Sequence, residues 1–295
     1  MADTLTAVVV AYGHPDDLRR ALEGLEGSVP VVVVDNSSSA DVRDVAEHAG
    51  AGYVDPGENL GFAAGVNRAL AGLDLHHTDV LLLNPDAEVR PAALWRLRQE
   101  LRHDPKVACA APAQRHPVTG AEVRVRWPYA TPARAWAEAM GRGRRHQGWD
   151  FVIASVLVVR GEALRQVGGF DEGFFLYAEE ADWQRRAGQF GWRVSFCADA
   201  SALHAGAATD DDTARHQLRF HAAVERHVRK WHGASGWRSY QLASVVTALR
   251  RAVVRRGPER RRALALAALY ARGPYSAARR AGVVPARAFG APGFD

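Results

Sequence analysis

Apolar positions in the first hundred residues follow two alternating periods. Thr4–Tyr12 is a β-branched run and Val29–Val34 an apolar run ending in Asp35, while Gly52–Val54 and Val80–Leu83 read as short strands. Between them, Asp16–Leu25, Val42–Ala49, Gly61–Leu73 and Pro91–Leu101 carry helical spacing, the last opened by a proline at its first turn. Such alternation predicts right-handed βαβ units and a mostly parallel sheet covered on both faces. Beyond Val107–Pro112 the pattern loosens. Glu122–Trp127 reads as a strand, Thr131–Gln147 as a helix plus mobile loop, and Phe151–Val159 as one buried apolar segment. Gly161–Val167 and Glu179–Phe190 are expected as helices and Trp192–Phe196 as a strand. Three further helices are expected over Asp212–Trp231, Trp237–Arg256 and Pro258–Arg272.

Charge separates the chain into two regions. Residues 1–200 hold 21 basic and 27 acidic side chains, residues 201–295 hold 17 and 6, so the net charge of +5 arises in the C-terminal third. A length of 295 residues with 47% hydrophobic and 24% charged residues excludes disordered, collagen-like and disulfide-framework classes. The two cysteines, Cys109 and Cys197, sit in apolar stretches and are expected reduced and buried, as in a reducing compartment. Neither a signal peptide nor an apolar run near the ~20 residues of a spanning helix is present, so the expectation is a cytoplasmic protein, peripheral on a membrane at most.

Ligands of open α/β sheets bind at the carboxyl ends of the strands. Two expected strands end there in polar groups: Asp35-Asn36-Ser37-Ser38-Ser39 and Asn84-Pro85-Asp86. One such carboxylate serves equally as a cap or turn residue. Two of them, flanking the glycine-containing Asn59-Leu60-Gly61-Phe62-Ala63-Ala64-Gly65-Val66-Asn67, suggest more. The first carboxylate can accept the ring N–H of a uracil or thymine, and the second can hold a divalent cation against a diphosphate. Gly61 and Gly65, one helical turn apart, suit close approach of a ligand or of the sheet. A second acidic cluster runs from Gly168-Gly169-Phe170-Asp171-Glu172 to Glu179-Glu180-Ala181-Asp182-Trp183. Carboxylates in a first helical turn gain ~0.3–1 kcal/mol from the macrodipole, which also keeps them ionised for general-base work.

Taken in order, these motifs resemble the inverting GT-A glycosyltransferases of family 2, in particular a rhamnosyltransferase-like branch. The resemblance runs over about residues 4–206 and ends at His204. It implies a Rossmann-like GT-A domain at 1–206, with a nucleotide-sugar half to about 112 and an acceptor half to 206, followed by a basic helical region at 207–295. It further implies that Asp35 binds the nucleobase, with Ala11, Tyr12, Asn59, Gly61, Asn67 and Asn84 around the nucleotide sugar. Asp86 and His204 would hold Mg2+ or Mn2+. Gly169, Asp171 and Glu172 would line the acceptor site, and Glu180 or its neighbour Glu179 would be the catalytic base. The chain departs from the family where Asn84 replaces a carboxylate of the D-x-D motif, where Glu180 stands in place of a frequent Asp, and where Ala11 replaces a frequent Thr.

The implied activity is metal-dependent inverting transfer from a nucleotide diphosphate sugar, dTDP-rhamnose or a UDP-sugar, to a hydroxyl of a glycan, lipid-linked or small-molecule acceptor. Two other readings share the fold. A non-catalytic sugar-nucleotide-binding or assembly protein is supported by the single carboxylate of Asn84-Pro85-Asp86 and opposed by the intact acidic cluster. A sugar-phosphate nucleotidyltransferase would need a Gly/Arg-rich phosphate loop, which Ala11-Tyr12-Gly13-His14-Pro15 is not. In the C-terminal helices, Arg250-Arg251, Arg255-Arg256, Arg260-Arg261-Arg262 and Arg279-Arg280 alternate with apolar stretches. That pattern suits either a solvated cap or contact with an anionic membrane, as a polyprenyl-diphosphate-linked acceptor would favour. No nucleic-acid recognition module is present.

Overall fold

A computed structural model describes residues 4–143, 148–206 and 213–284. These form two compact units, the first comprising residues 4–127, 150–172 and 179–206, the second residues 128–143, 148–149, 173–178 and 213–284. The grouping therefore does not follow a single cut at 206. Residues 128–143 go with the C-terminal helices because α5 (Pro132–Ala139) packs on α8 (Thr213–Val254), and 173–178 because the Tyr177 hydroxyl hydrogen-bonds His216 on α8 at 2.7 Å.

The first unit has the GT-A architecture. Its early elements are β1 (Thr4–Ala11), α1 (Pro15–Gly24), β2 (Val31–Asp35), α2 (Ala40–His48), β3 (Gly52–Val54), α3 (Gly61–Leu70) and β4 (Thr78–Leu83). There follow β5 (Ala87–Val89), α4 (Pro91–His103), β6 (Val107–Arg115), β7 (Glu122–Val123) and β8 (Arg126–Trp127). The remainder is β9 (Phe151–Val152), β10 (Val156–Val159), α6 (Gly161–Val167), α7 (Glu179–Gln189) and β11 (Arg193–His204). The main sheet runs β3-β2-β1-β4-β10-β6-β11-β5, with β7 on β6. Most strands share one direction, and β5, β7 and β10 oppose them.

Both faces are covered, as strand alternation requires. Val9 joins Leu18, Val42 and Leu97 in the core under α1, α2 and α4, whereas Val10 points the other way, against α3. A Cβ on Gly65 would lie 2.8 Å from Val10 Cγ1, so this glycine is what lets α3 approach β1 closely. Cys109 and Cys197 are free and buried, as expected.

Three boundaries differ from the expectation. The Glu122–Trp127 run breaks into β7 and β8, which pair in different sheets. Phe151–Val159 likewise divides: β9 pairs with β8, and only β10 enters the main sheet. The strand expected at Trp192–Phe196 continues to His204 through an irregularity between Cys197 and Ser201. In the helix plus loop expected over Thr131–Gln147 the helix is α5, while 144–147 lie outside the described residues.

In the second unit α8 is broken at Gly233, whose φ of 68° is non-helical, so two helical stretches meet there, as the spacing predicted. Asp212, the expected start of the first stretch, lies outside the described residues. α9 (Gly257–Arg272) and α10 (Pro274–Arg280) complete the unit, the latter not anticipated from sequence. Val228, Trp237 and Tyr270 form one buried centre. Glu225 ties the unit together by accepting from Arg229 Nε at 2.9 Å and from the Tyr275 N–H at 3.0 Å. Among the described residues no helix is long and apolar enough to cross a membrane.

Candidate active site

Register brings the predicted strand-end groups to one edge of the sheet. Ala11 lies opposite Asp35 across β1 and β2, and Val8 lies opposite Leu82, which sets the Asn84-Pro85-Asp86 turn beside the end of β1. Asp35 is fully buried there. One carboxylate oxygen accepts from the Ser37 N–H and Ser37 hydroxyl, the other from the Ser39 N–H and the Tyr53 hydroxyl at 2.8 Å each. Its acceptor positions are thus taken by the loop it shapes, and a base N–H would have to displace one of these donors. The Ala11 carbonyl accepts from the Asn36 N–H at 2.9 Å, so it is not presented to a ligand. Tyr12 is presented: its side chain is 55% exposed on a turn where Gly13 and His14 both have positive φ. The Asn36 amide holds the next loop, donating to the Gly61 carbonyl at 3.0 Å and accepting from Leu60 N–H. Asn59 closes the same loop by accepting from the Gly61 N–H at 2.9 Å. Gly61 itself, at φ 81°, opens α3 in a conformation that glycine tolerates best.

Asp86 and His204 meet. The carboxylate oxygen lies 3.5 Å from His204 Nε2, and the two side chains are 4% and 9% exposed. Ladder pairing of His204 with Ala87 across β11 and β5 fixes this proximity. The other ring nitrogen, Nδ1, is buried without a hydrogen-bond partner among the described residues. A carboxylate oxygen and an imidazole with an orphaned nitrogen suit a divalent cation such as Mn2+, at a site whose remaining ligands come from elsewhere. Among the described residues no group of three or more His, Cys, Asp or Glu is placed to hold a metal. Asn84 donates its backbone N–H to Ser155 O at 2.8 Å, and its half-buried side chain makes no hydrogen bond among the described residues.

The acidic cluster is anchored by Asn67 on α3. Its side chain donates to Phe170 O at 2.8 Å and Glu172 Oε1 at 2.9 Å and accepts from the Phe170 N–H at 2.8 Å. Asn67 therefore clamps the 168–172 segment. Gly169 serves the same clamp, since a Cβ there would lie 2.5 Å from Asn67 Oδ1. Glu172 is exposed and Asp171 half-buried beside it. From the other side, Trp183 Nε1 donates to Gly168 O at 2.9 Å, and Arg186 reaches Val167 O and Gly169 O at 3.0 and 2.7 Å. These bonds tie the first turns of α7 to that segment.

At the start of α7 the two adjacent glutamates part company. Glu179 is buried, and burial first, then the negative charge of Glu180, pushes its carboxyl well above the usual carboxylate range. Glu180 is half-buried. The two residues just before them, Tyr177 and Ala178, have φ of 72° and 66°. Left-handed non-glycine residues cost about 1–3 kcal/mol each and cluster at functional sites.

Several supports were not read from the sequence. Tyr53 as a donor to Asp35, Gln184 bonding both backbone groups of Val152, and Ser155 donating to Gln114 at 2.9 Å all join elements distant in the chain. The Ser37-Ser38-Ser39 run after Asp35 was the available signal, since hydroxyls and amides two and four residues on are natural partners of an Asp in a turn.

Comparison with known proteins bears on the family and the fold. Over 277 residues the chain is 29% identical to the N-acetylglucosaminyl-diphospho-decaprenol L-rhamnosyltransferase of Mycobacterium tuberculosis, covering 80% of this chain and 89% of the relative. A low-salt glycan biosynthesis hexosyltransferase of Haloferax volcanii is 27% identical, with 69% and 68% covered. Among solved structures, a mannosyltransferase from Pyrobaculum calidifontis in complex with GDP-Man and Mn2+ superposes with a TM-score of 0.58 at 16% identity, over 94% of this chain and 83% of that one. The glucosyl-3-phosphoglycerate synthase of Mycobacterium tuberculosis with Mn2+ and UDP gives 0.52 at 15%, over 75% and 78%. Residues 6–167 match the family model for glycosyl transferase family 2, and the chain belongs to that family.

Proposed function

We propose that this glycosyltransferase moves a sugar, with inversion, from a nucleoside diphosphate donor to a hydroxyl of a polyprenyl-diphosphate-linked acceptor. The observation that carries the reading is the buried Asp86–His204 pair at the carboxyl edge of the sheet, where a donor diphosphate would lie. The acceptor class rests on similarity to the decaprenol-linked rhamnosyltransferase, and dTDP-rhamnose is the first donor to try.

In this reading Tyr12 offers its exposed ring to the nucleobase, and Asp35 meets the ring N–H once a loop hydroxyl gives way. Asn84 contacts the donor with its unused side chain. Asp86 and His204 would hold Mg2+ or Mn2+, which would neutralise charge on the departing diphosphate. Asp171 and Glu172 orient the acceptor. The acceptor oxygen forms its bond to the anomeric carbon as the bond to the diphosphate oxygen breaks. Glu180 takes the hydroxyl proton. Burial, then the charge of Glu180, raises the Glu179 carboxyl well above the usual carboxylate range, which leaves the base's role to the half-buried Glu180.

The test is turnover of dTDP-rhamnose and UDP-sugars with Mn2+ or Mg2+ and a short polyprenyl-diphosphate-linked acceptor, reading product anomer by NMR. An inverted product from the native chain and a rate lowered about 100-fold or more in Glu180→Gln are expected. Near-normal turnover by that variant, or retention at the anomeric carbon, overturns the mechanism.

A further inference from the structure

The second half of α8 presents an apolar stripe to solvent. Leu242, Val246, Leu249 and Val253 are spaced by four, three and four residues, so at 3.6 residues per turn they fall within a ~60° arc. All four are exposed, Val253 to 84%, whereas Ala243, Thr247, Ala248 and Ala252 on the opposite side of the same helix are buried. The stripe is therefore not part of the unit's core.

Arginines frame it. Arg238 lies on the stripe side by helical position, Arg256 is the extended N-cap of α9 just past the end of α8, and Arg260, Arg261 and Arg262 follow on the first turns of α9. All five are exposed and form no ion pair among the described residues. The neighbouring acids are already engaged: Glu138 with Arg251 at 2.7 Å and Glu259 with Arg255 at 3.0 Å.

We infer that this face docks the protein on an anionic lipid bilayer, lying in the interface with the four aliphatic side chains inserted and the arginines at the headgroups. Charge complementarity selects the occupant. A second copy of the chain would bring the same unpaired arginines against one another, while a neutral partner would leave them without counter-charge. An apolar stripe rimmed by arginines on a helix too polar to span is the pattern of an interfacial helix. The arginine stems reach along the apolar face while their heads stay at the phosphates. The inference concerns a surface of the helical unit and does not depend on the chemistry proposed above.

The test is co-sedimentation of the full chain with vesicles of phosphatidylcholine, alone or mixed with phosphatidylglycerol, without donor or acceptor. Pelleting with mixed vesicles only, weakened by added salt, is expected. Leu249→Ser with Val253→Ser should weaken it at unchanged far-UV circular dichroism, because both side chains are exposed in the free protein. Each of Arg256, Arg260, Arg261 and Arg262 changed to Gln should cost about fivefold in partitioning. The idea is overturned by absence of pelleting, by equal pelleting with neutral vesicles, or by a double-serine variant that binds as the native chain does. It is equally overturned if sedimentation velocity without lipid shows a dimer that the double-serine change dissociates.

Discussion

Replacing Glu179 with Gln isolates the effect of the buried carboxyl. With its pKa raised by burial and by Glu180, Glu179 keeps a proton in the folded chain at pH values where the unfolded chain has lost it. The folded state then binds more protons, so stability falls as pH rises above the ordinary Glu value of ~4.3 and stops falling only above the raised folded value. The slope is at most about 1.4 kcal/mol per pH unit over the window between the ordinary and the raised value. Gln at this position is neutral at every pH and removes that slope. It also brings an N–H2 group to a place where Glu179 Oε2 has no partner, at a cost of ~1–3 kcal/mol. The variant should thus be the less stable protein near pH 5 and gain on the native chain steadily toward neutrality. Urea titrations followed by circular dichroism at stepped pH measure the difference. A native-minus-variant difference that does not change with pH would refute the reasoning, because the carboxyl would then be titrating normally.

Three further outcomes are expected. Asn67→Ala removes three hydrogen bonds at ~1 kcal/mol each, so urea should report a loss of about 2–3 kcal/mol and hydrogen exchange a loss of protection at the Phe170 amide. His204→Ala should raise the Mn2+ concentration for half-maximal turnover by roughly tenfold or more while donor-free stability changes less, read by metal titration and thermal shift. Gly65→Ala places a Cβ 2.8 Å from Val10 Cγ1 and should destabilise by about 1–3 kcal/mol in urea, with α3 displaced from β1.

The βαβ half of the fold was legible because period-2 and period-3.6 patterns alternate there without interruption. The acceptor side was less so, for reasons of local physics. Phe151–Val159 is apolar throughout, yet pairing assigns its two ends to different sheets. β10 runs against its neighbours, and direction leaves no trace in a fully buried run such as Val156–Val159. Ala87–Val89 carries no strand signal of its own directly after the Asn84-Pro85-Asp86 turn, and it exists through its pairing with β11. In the site, Asp86 and His204 were placed together from motif order alone, and the 3.5 Å separation shows the pairing directly. For Asn67, position in the motif says nothing of where the amide points. Only the fold brings Phe170 and Glu172 to it, more than a hundred residues away in sequence.

The polar residues at this sheet edge divide by whether their bonding capacity is already met. Asp35, Asn36 and Asn67 are engaged by neighbouring backbone, hydroxyl and carboxylate groups, which makes them determinants of loop shape. Among the described residues, the Asn84 side-chain amide makes no hydrogen bond and one His204 ring nitrogen has no partner. Buried or half-buried polar groups left so carry a free-energy cost that a ligand would relieve. A family motif mixes both kinds, because a loop must be held before it can present anything. Substitutions of the first kind should therefore register in folding and in every ligand's affinity together. Those at Asn84, Asp86 or His204 should register in donor or metal binding with folding nearly intact. The saturated Asp35 is the sharpest case: if Asp35→Asn lowered donor affinity while leaving urea stability unchanged, the division drawn here between holding and presenting residues would fail.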